Sequence, residues 1–418
     1  MKLIIRWYRT TVSRFKLATI LNILGLSAAF AAFILIFGRV TDELGYDKFH
    51  RDAERIYRIE ARDNEAGENI PNLARNYFEA MIRSSSHIVS GTVLLPSYGL
   101  RSYVTTGEDA GKKGFTEEVA RVTEGYIETF SPEMIEGTAE ALRERNLALI
   151  PESMAERMFG MSQCVGQQIA FADFTAGQEI LSLTGGRYPS RVYVGGVYRD
   201  FPRTSVFKNI ILGRMDDNES LNDWETGVHL GFVKLDSVEN RDLVLQEFEK
   251  NFHAVAPGRA KERYTFRLTP VTDIYFTNDI QADPQDKKGD RSVTILLIVV
   301  AALIITIAAI NYVNFSMAVT PMRIKSINTH KIIGCSVASL STALTAEAIL
   351  TALFCYFIAV TNILALQYPP FSADLVGSFV IGERLPLLWH SLWLGMSFGD
   401  GSAGSLSGSI CIGGSLRS

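Results

Sequence analysis

The sequence predicts an α-helical membrane protein that carries a large α+β extracytoplasmic domain. Three observations lead to this reading. Long apolar runs at Leu17–Phe37, Ser292–Met322 and Ala343–Leu366 each reach the roughly 20 residues needed to cross a bilayer. From Arg39 to Arg291 no run is long enough to span. The segments beside the runs at 1–16 and 323–331 hold Lys and Arg but no acid, which assigns them to the cytoplasmic side and the segment 39–291 to the other.

Composition agrees. The 418 residues are 47% hydrophobic and 21% charged, and the net charge of −4 leaves no nucleic-acid footprint. The cysteines, Cys164, Cys335, Cys355 and Cys411, are too widely spaced for a CxxC zinc or redox motif and suggest no disulfide framework.

In chain order, residues 1–16 hold Lys2, Arg6, Arg9, Arg14 and Lys16, with Leu3, Ile4, Trp7, Val12 and Phe15 near helical spacing. This reads as a cytoplasmic amphipathic helix lying on lipid, or as a plain basic flank that sets topology. Transmembrane helix 1 is expected over 17–38, with Gly25, Ala28, Ala29 and Ala32 at spacings that allow close helix approach. The run is longer than a signal-peptide core, and no clean A-x-A follows it, so it reads as an uncleaved anchor.

Residues 39–291 have mixed texture. Segments 55–62, 117–123, 146–150, 191–201, 209–215 and 227–235 read as strands, and 265–276 closes the segment. Segments 72–83, 124–130, 151–159 and 237–255 read as helices. Pro151 and the acids near it mark a helix start, and Gly160 marks its end. Strands alternating with single helices predict an α+β domain in two lobes.

A search for chemistry in this domain is negative. TGEDAGKKG (106–114) falls one residue short of a phosphate-binding loop and reads as a turn. Ser205 and Lys208 form S-x-x-K without the partner motifs that such a nucleophile needs. His50, His87, His229 and His253 are isolated, which argues against metal ligation. The acid pairs Glu117–Glu118 and Asp216–Asp217 read as solvated surface. No nucleophile and base can be paired, so the chain is not expected to be an enzyme.

Transmembrane helix 2 is expected over 292–318, with Asn311 and Asn314 one turn apart near its inner end, available for contacts to a neighbouring helix. A basic cytoplasmic loop follows over 319–339. Transmembrane helix 3 covers 340–367 and carries Glu347, costly in lipid unless paired or interfacial. An extracytoplasmic loop covers 368–384. A partial fourth span (385–398) stops early and gives way to a Gly/Ser-rich tail (399–418), which reads as a disrupted frame near Ser397.

This layout resembles the FtsX/MacB-like permease family of ABC transporters. NILGLSAAFAAFILIFGRVTDELGYDKFHRDAERIYRI (22–59), ALIPESMAERMFG (148–160), VGGVYRDFP (194–202), INYVNFSMA (310–318) and HKIIGCS (330–336) carry the resemblance, which covers roughly residues 1–396. The nearest match is the N-terminal half of a double-length subtype. The resemblance implies a MacB-like periplasmic core domain of two lobes and a bacterial inner-membrane location with the N-terminus cytoplasmic. It also implies a coupling loop that docks as a coupling helix on a separate ABC ATPase subunit, which itself binds ATP and Mg. Arg323, Lys325, Ile327, His330, Lys331, Ile332 and Gly334 would form that contact. Ser326 stands where the family usually has an acid, Asn328 where it has Gly, and His330 where it has Arg. Further implied partners are a second permease unit and a periplasmic adaptor. A membrane-anchored sensor is the rival reading. It would need a cytoplasmic effector domain, for which the short segment between spans two and three leaves no room.

Overall fold

The computed structural model describes residues 16–106, 113–160, 163–171, 179–181, 187–220, 223–255, 260–281, 283–285, 287–332 and 336–366. It divides into two compact units: a helical one (1–44 with 291–418) and the domain Gly45–Asp290.

In the helical unit, α1 runs Lys16–Leu44. The helix runs past the expected span end at 38. Arg39 pairs with Glu43 one turn on, and Thr41 Oγ1 donates to the Phe37 carbonyl at 2.8 Å, so the helix continues past its apolar run.

Within the domain, β1 (Ile56–Asp63), β2 (Glu68–Ile70), α2 (Arg75–Ile82) and β3 (Ile88–Leu95) come first. The middle holds β4 (Arg101–Thr106), β5 (Lys113–Val122), α3 (Tyr126–Phe130), β6 (Met134–Gly137), β7 (Leu147–Pro151), α4 (Glu152–Phe159), β8 (Gln168–Phe171), β9 (Glu179–Leu181), β10 (Arg187–Pro189), β11 (Arg191–Tyr198) and β12 (Ile211–Arg214). The end holds β13 (Leu230–Leu235), α5 (Arg241–Val255), α6 (Ala260–Arg263) and β14 (Tyr264–Pro270).

The outer parts of the domain form one lobe. Its strands lie in the order β3–β13–β1–β14, all antiparallel. Thus β1–α2–β3 and β13–α5–β14 are two interleaved crossover units, a split βαβ arrangement. The alternation of β1 turns Tyr57, Ile59 and Ala61 toward one core, where they meet Phe78 and Met81 of α2 and Val244 and Phe248 of α5. Gly231 is required there, because a Cβ would lie 2.1 Å from the Phe78 ring.

The inserted middle forms a second lobe. Strands β12, β7, β11, β8, β4 and β5 pair in succession, and β5 pairs back onto β12 in parallel register, Ile211 with Val119 through Arg214 with Val122. The six strands therefore close on themselves, which removes strand edges. Val104, Ile150, Ile169, Val192 and Val194 fill the lobe, with Met154 and Met158 of α4 packed against them. Gly160, at φ 73°, ends α4. At its end β5, still paired with β12, pairs along its other edge with Leu94 and Leu95 of β3, which joins the two lobes.

The helical unit continues with α7 (Arg291–Ile332) and α8 (Val337–Leu366). Leu26, Phe30 and Ile34 of α1 pack with Ala301 and Ile305 of α7 and with Cys355 and Ala359 of α8. Here the structure differs from the expected 319–339 loop: α7 is unbroken through Ile332, despite the interior Pro321. Arg, Lys and Ile sustain a helix, and no Gly interrupts the chain before Gly334. The segments 1–15 and 367–418, including the expected amphipathic helix, outer loop, partial span and tail, lie outside the described residues.

Candidate functional site

The residues expected to contact an ATPase occupy the last turns of α7. Arg323, Lys325, Ile327, His330 and Lys331 lie on its helical backbone, and Ile332, at its end, is 86% exposed. Gly334 lies outside the described residues.

Further along the bundle, Asn311 and Asn314 are exposed on α7. Asn311 and Asn22 share a groove of 570 Å³ between α1 and α7, floored by Gly25, Ala29 and Ala308. The groove thus contains two of the small residues that allow close helix approach. Glu347 is buried within the bundle, and its carbonyl accepts from Thr351 Oγ1 at 2.9 Å.

In the domain, Ser205 and Lys208 do not form a nucleophile–base pair. Ser205 Oγ donates to Asp47 Oδ1 at 2.6 Å, and Lys208 Nζ lies 3.3 Å from Glu118. His50 is buried against Phe49, Phe130, Phe201 and Phe207, and burial pulls its pKa down to about 3. His229 is fully buried. Burial and then the Arg75 charge pull its pKa to about 4. His87 lies 2.9 Å from Asp236, and that hydrogen bond raises its pKa. Among the described residues, no three metal-ligating side chains gather. Cys164 is buried and its thiol is not disulfide-bonded.

Two acids that read as solvated are not. Asp216 is 6% exposed and accepts from the Arg187 and Asn218 amides. Glu118 accepts from Ser97 Oγ at 2.5 Å and pairs with Lys208. Both are drawn inward by hydrogen bonds from segments distant in sequence.

The strongest polar cluster was not visible in the sequence. The polar face of β1 turns Arg58 and Glu60 inward, and both side chains are fully buried. Arg58 contacts Glu60 at 2.6 Å, Asp283 at 2.9 Å and Gln285 at 2.6 Å. Glu60 also accepts from Arg267 and from Thr269, each at 2.7 Å. Lys288 reaches Asp283 at 2.6 Å. Burial opposes the charged form of Asp283, but Arg58 and Lys288 outweigh it and hold its pKa below the usual carboxylate range. Each charge has a partner, as burial demands.

Among the described residues, three helices are long and apolar enough to cross a membrane, at Thr19–Leu44, Arg291–Pro321 and Leu344–Ala365. A large two-lobed domain lies between the first and second. That arrangement defines a protein whose two-lobed domain is inserted between candidate membrane-spanning helices. The family model for the MacB-like periplasmic core domain matches residues 19–251, more than half of the chain, and the chain belongs to this family of FtsX/MacB-like ABC transporter permeases. The family is one of transporter permeases rather than enzymes, and its members work with ABC ATPases.

Solved structures similar to the chain include a domain of a putative permease from Porphyromonas gingivalis, at 20% identity and TM-score 0.43, covering 60% of this chain and 99% of that one. The periplasmic region of MacB from Actinobacillus actinomycetemcomitans matches at 13% identity and TM-score 0.35, covering 51% and 87%. The extracellular domain of the noncanonic ABC-type transporter YknZ from Gram-positive bacteria matches at 12% and TM-score 0.31, covering 51% and 99%. No curated protein matches.

Proposed function

We propose that this permease couples ATP hydrolysis on a separate ATPase subunit to movement of its domain, which lies in the periplasm of a bacterium with the N-terminus cytoplasmic. The ATPase binds ATP and Mg²⁺; this chain binds neither. A second permease unit completes the transporter, with a periplasmic adaptor as a further partner. The cargo class is a peptide, a lipoprotein or an antimicrobial.

One observation carries the reading: α7 runs unbroken from Arg291, the residue after the domain, to Ile332, beyond the basic residues. At 1.5 Å per residue its 42 residues make a rod of about 63 Å, roughly twice the hydrocarbon thickness. A continuous helix transmits a push or twist at its basic end with little loss, whereas a loop there would absorb it. Arg323, Lys325, His330 and Lys331 supply the polar contact to the ATPase, and Ile327 and Ile332 the apolar one.

The test is charge reversal, Lys325→Glu with Lys331→Glu, followed by co-purification with the ATPase. Loss of the ATPase is expected. Unchanged recovery refutes the docking assignment.

A further inference from the structure

The residues just after α1 and those just before α7 are at opposite ends of the domain's sequence, yet the same few side chains hold both. After α1, Asp47 adopts a left-handed backbone (φ 54°) and its side chain is fully buried. Its amide donates to the Thr204 carbonyl at 2.9 Å. Its carboxylate accepts from Ser205 Oγ at 2.6 Å and from the Val206 amide at 3.2 Å. Asp47 therefore grips the turn 204–206 from both its backbone and its side chain.

That turn is also held from the other end of the domain. Lys287 Nζ donates to the carbonyls of Arg203 at 3.0 Å and Ser205 at 2.8 Å. Its ammonium contributes a favourable charge toward Asp47, while its own hydrogens go to the carbonyls. Ser205 thus serves both ends, with its hydroxyl on Asp47 and its carbonyl on Lys287.

An independent contact joins the same two segments. Tyr46 stacks on Tyr275 with ring centroids 3.5 Å apart and planes 10° from parallel. The Gly289 amide donates to the Tyr275 carbonyl at 2.8 Å. Gly289 passes so close to the Tyr275 ring that a Cβ would lie 2.1 Å from it. Lys288 adds hydrogen bonds to the Ile274 and Thr277 carbonyls and the ion pair to Asp283, which Arg58 holds on β1.

We propose that these contacts form a yoke: the two chain connections of the domain, 45–50 and 287–290, are fastened to each other through the Ser205 turn and the Tyr275 ring and open only together. A displacement entering by either connection then moves the whole domain instead of peeling one connection away. Ser205 and Lys287 are positioning residues in this device. Its use in transmission rests on the proposed function; the fastening itself does not.

The test is hydrogen–deuterium exchange on the full chain in lipid nanodiscs, comparing the parent with Lys287→Met and Ser205→Ala. Lys287 is exposed, so Lys287→Met removes its two hydrogen bonds without opening a core. The yoke predicts about tenfold faster exchange at the Asp47 and Val206 amides in Lys287→Met, although Lys287 bonds to neither. It predicts the reciprocal gain at the Gly289 amide in Ser205→Ala. Acceleration confined to 287–290 in Lys287→Met, or no change, overturns the yoke. Amides of Phe232 and Val233 in β13 report folding. If Ser205→Ala exposes them, Lys287→Met decides alone. The readout involves neither ATPase nor cargo. A negative result therefore rejects the yoke and leaves the permease reading intact, and loss of ATPase docking on charge reversal leaves the yoke intact.

Discussion

The ring around Val104, Ile150 and Ile169 is packed with apolar side chains and closes on itself, while the split βαβ lobe is sealed on one face of β1 by aromatic and aliphatic side chains and on the other by Arg58 and Glu60. The ring is held by non-directional burial plus ladder closure. Its tolerance should be graded, each lost methylene costing in proportion to the cavity left. The lobe relies in part on charges with assigned partners, where removing one strands the others. The lobe also contains His229, and His50 packs against Phe130 and Phe207. The chain between 101 and 214 has no histidine. Similar domain parts, joined through β5, should therefore fail in different ways.

The sharpest break of this comparison is Arg58→Ala. It leaves Glu60 and Asp283 buried without their shared cation, at an expected cost of about 3–5 kcal/mol. Urea unfolding of the full chain in detergent measures it. A cost under about 1 kcal/mol would mean that water reaches the cluster and that the two lobes do not differ in kind.

Next in size is Ile150→Ala in the ring, expected to cost about 2–4 kcal/mol. Ile150→Val should cost about 1 kcal/mol by the same measurement. A steep loss for the valine variant would contradict graded packing.

Acid sensitivity comes third. The folded-state pKa values of His50 and His229 lie below the ordinary 6.5, at about 3 and about 4. Their contribution is full above pH 6.5 and falls as pH drops toward 4, because only the unfolded chain takes up the protons. Asp47 acts in the opposite sense. Burial raises its pKa from 3.8 to about 6, so below pH 6 the folded state gains stability from its protonation. These three groups together are expected to contribute a loss of about 2 kcal/mol from pH 7 to 5. Exchange should quicken in β13 while β8 and β11 of the ring change less. Equal sensitivity in both lobes would remove histidine burial as the cause.

Parts of this arrangement are legible locally. Arg55–Arg62 alternates with period two and forms β1; 237–255 has helical spacing and contains α5; Pro151 and Gly160 bracket α4. Strands β3, β4, β6 and β8 are not legible in the sequence. Their Ser, Thr and Gly content and short lengths give weak patterns, and their partners come from elsewhere in the chain. The Asp47–Ser205 contact left one clue: each residue sits among aromatics, Tyr46 and Phe49 or Phe201 and Phe207. The family resemblance points to the candidate coupling segment as a helix, but neither it nor the charge pattern shows that this helix is continuous with the span, as it is in α7.

By itself the sequence determined the apolar runs and their lengths, the sign of their flanks, the long inserted domain and most of its longer elements, because those depend on neighbours within a few turns of chain. Only the tertiary structure decided which polar face is buried. Alternation alone makes Arg58 a solvent-facing residue of β1. Asp283, which arrives from 225 positions away, turns it into the centre of a buried network. Ring closure between β5 and β12 and the shared hold on 46–47 and 287–289 are decided in the same way, by pairings between distant segments that no local pattern encodes.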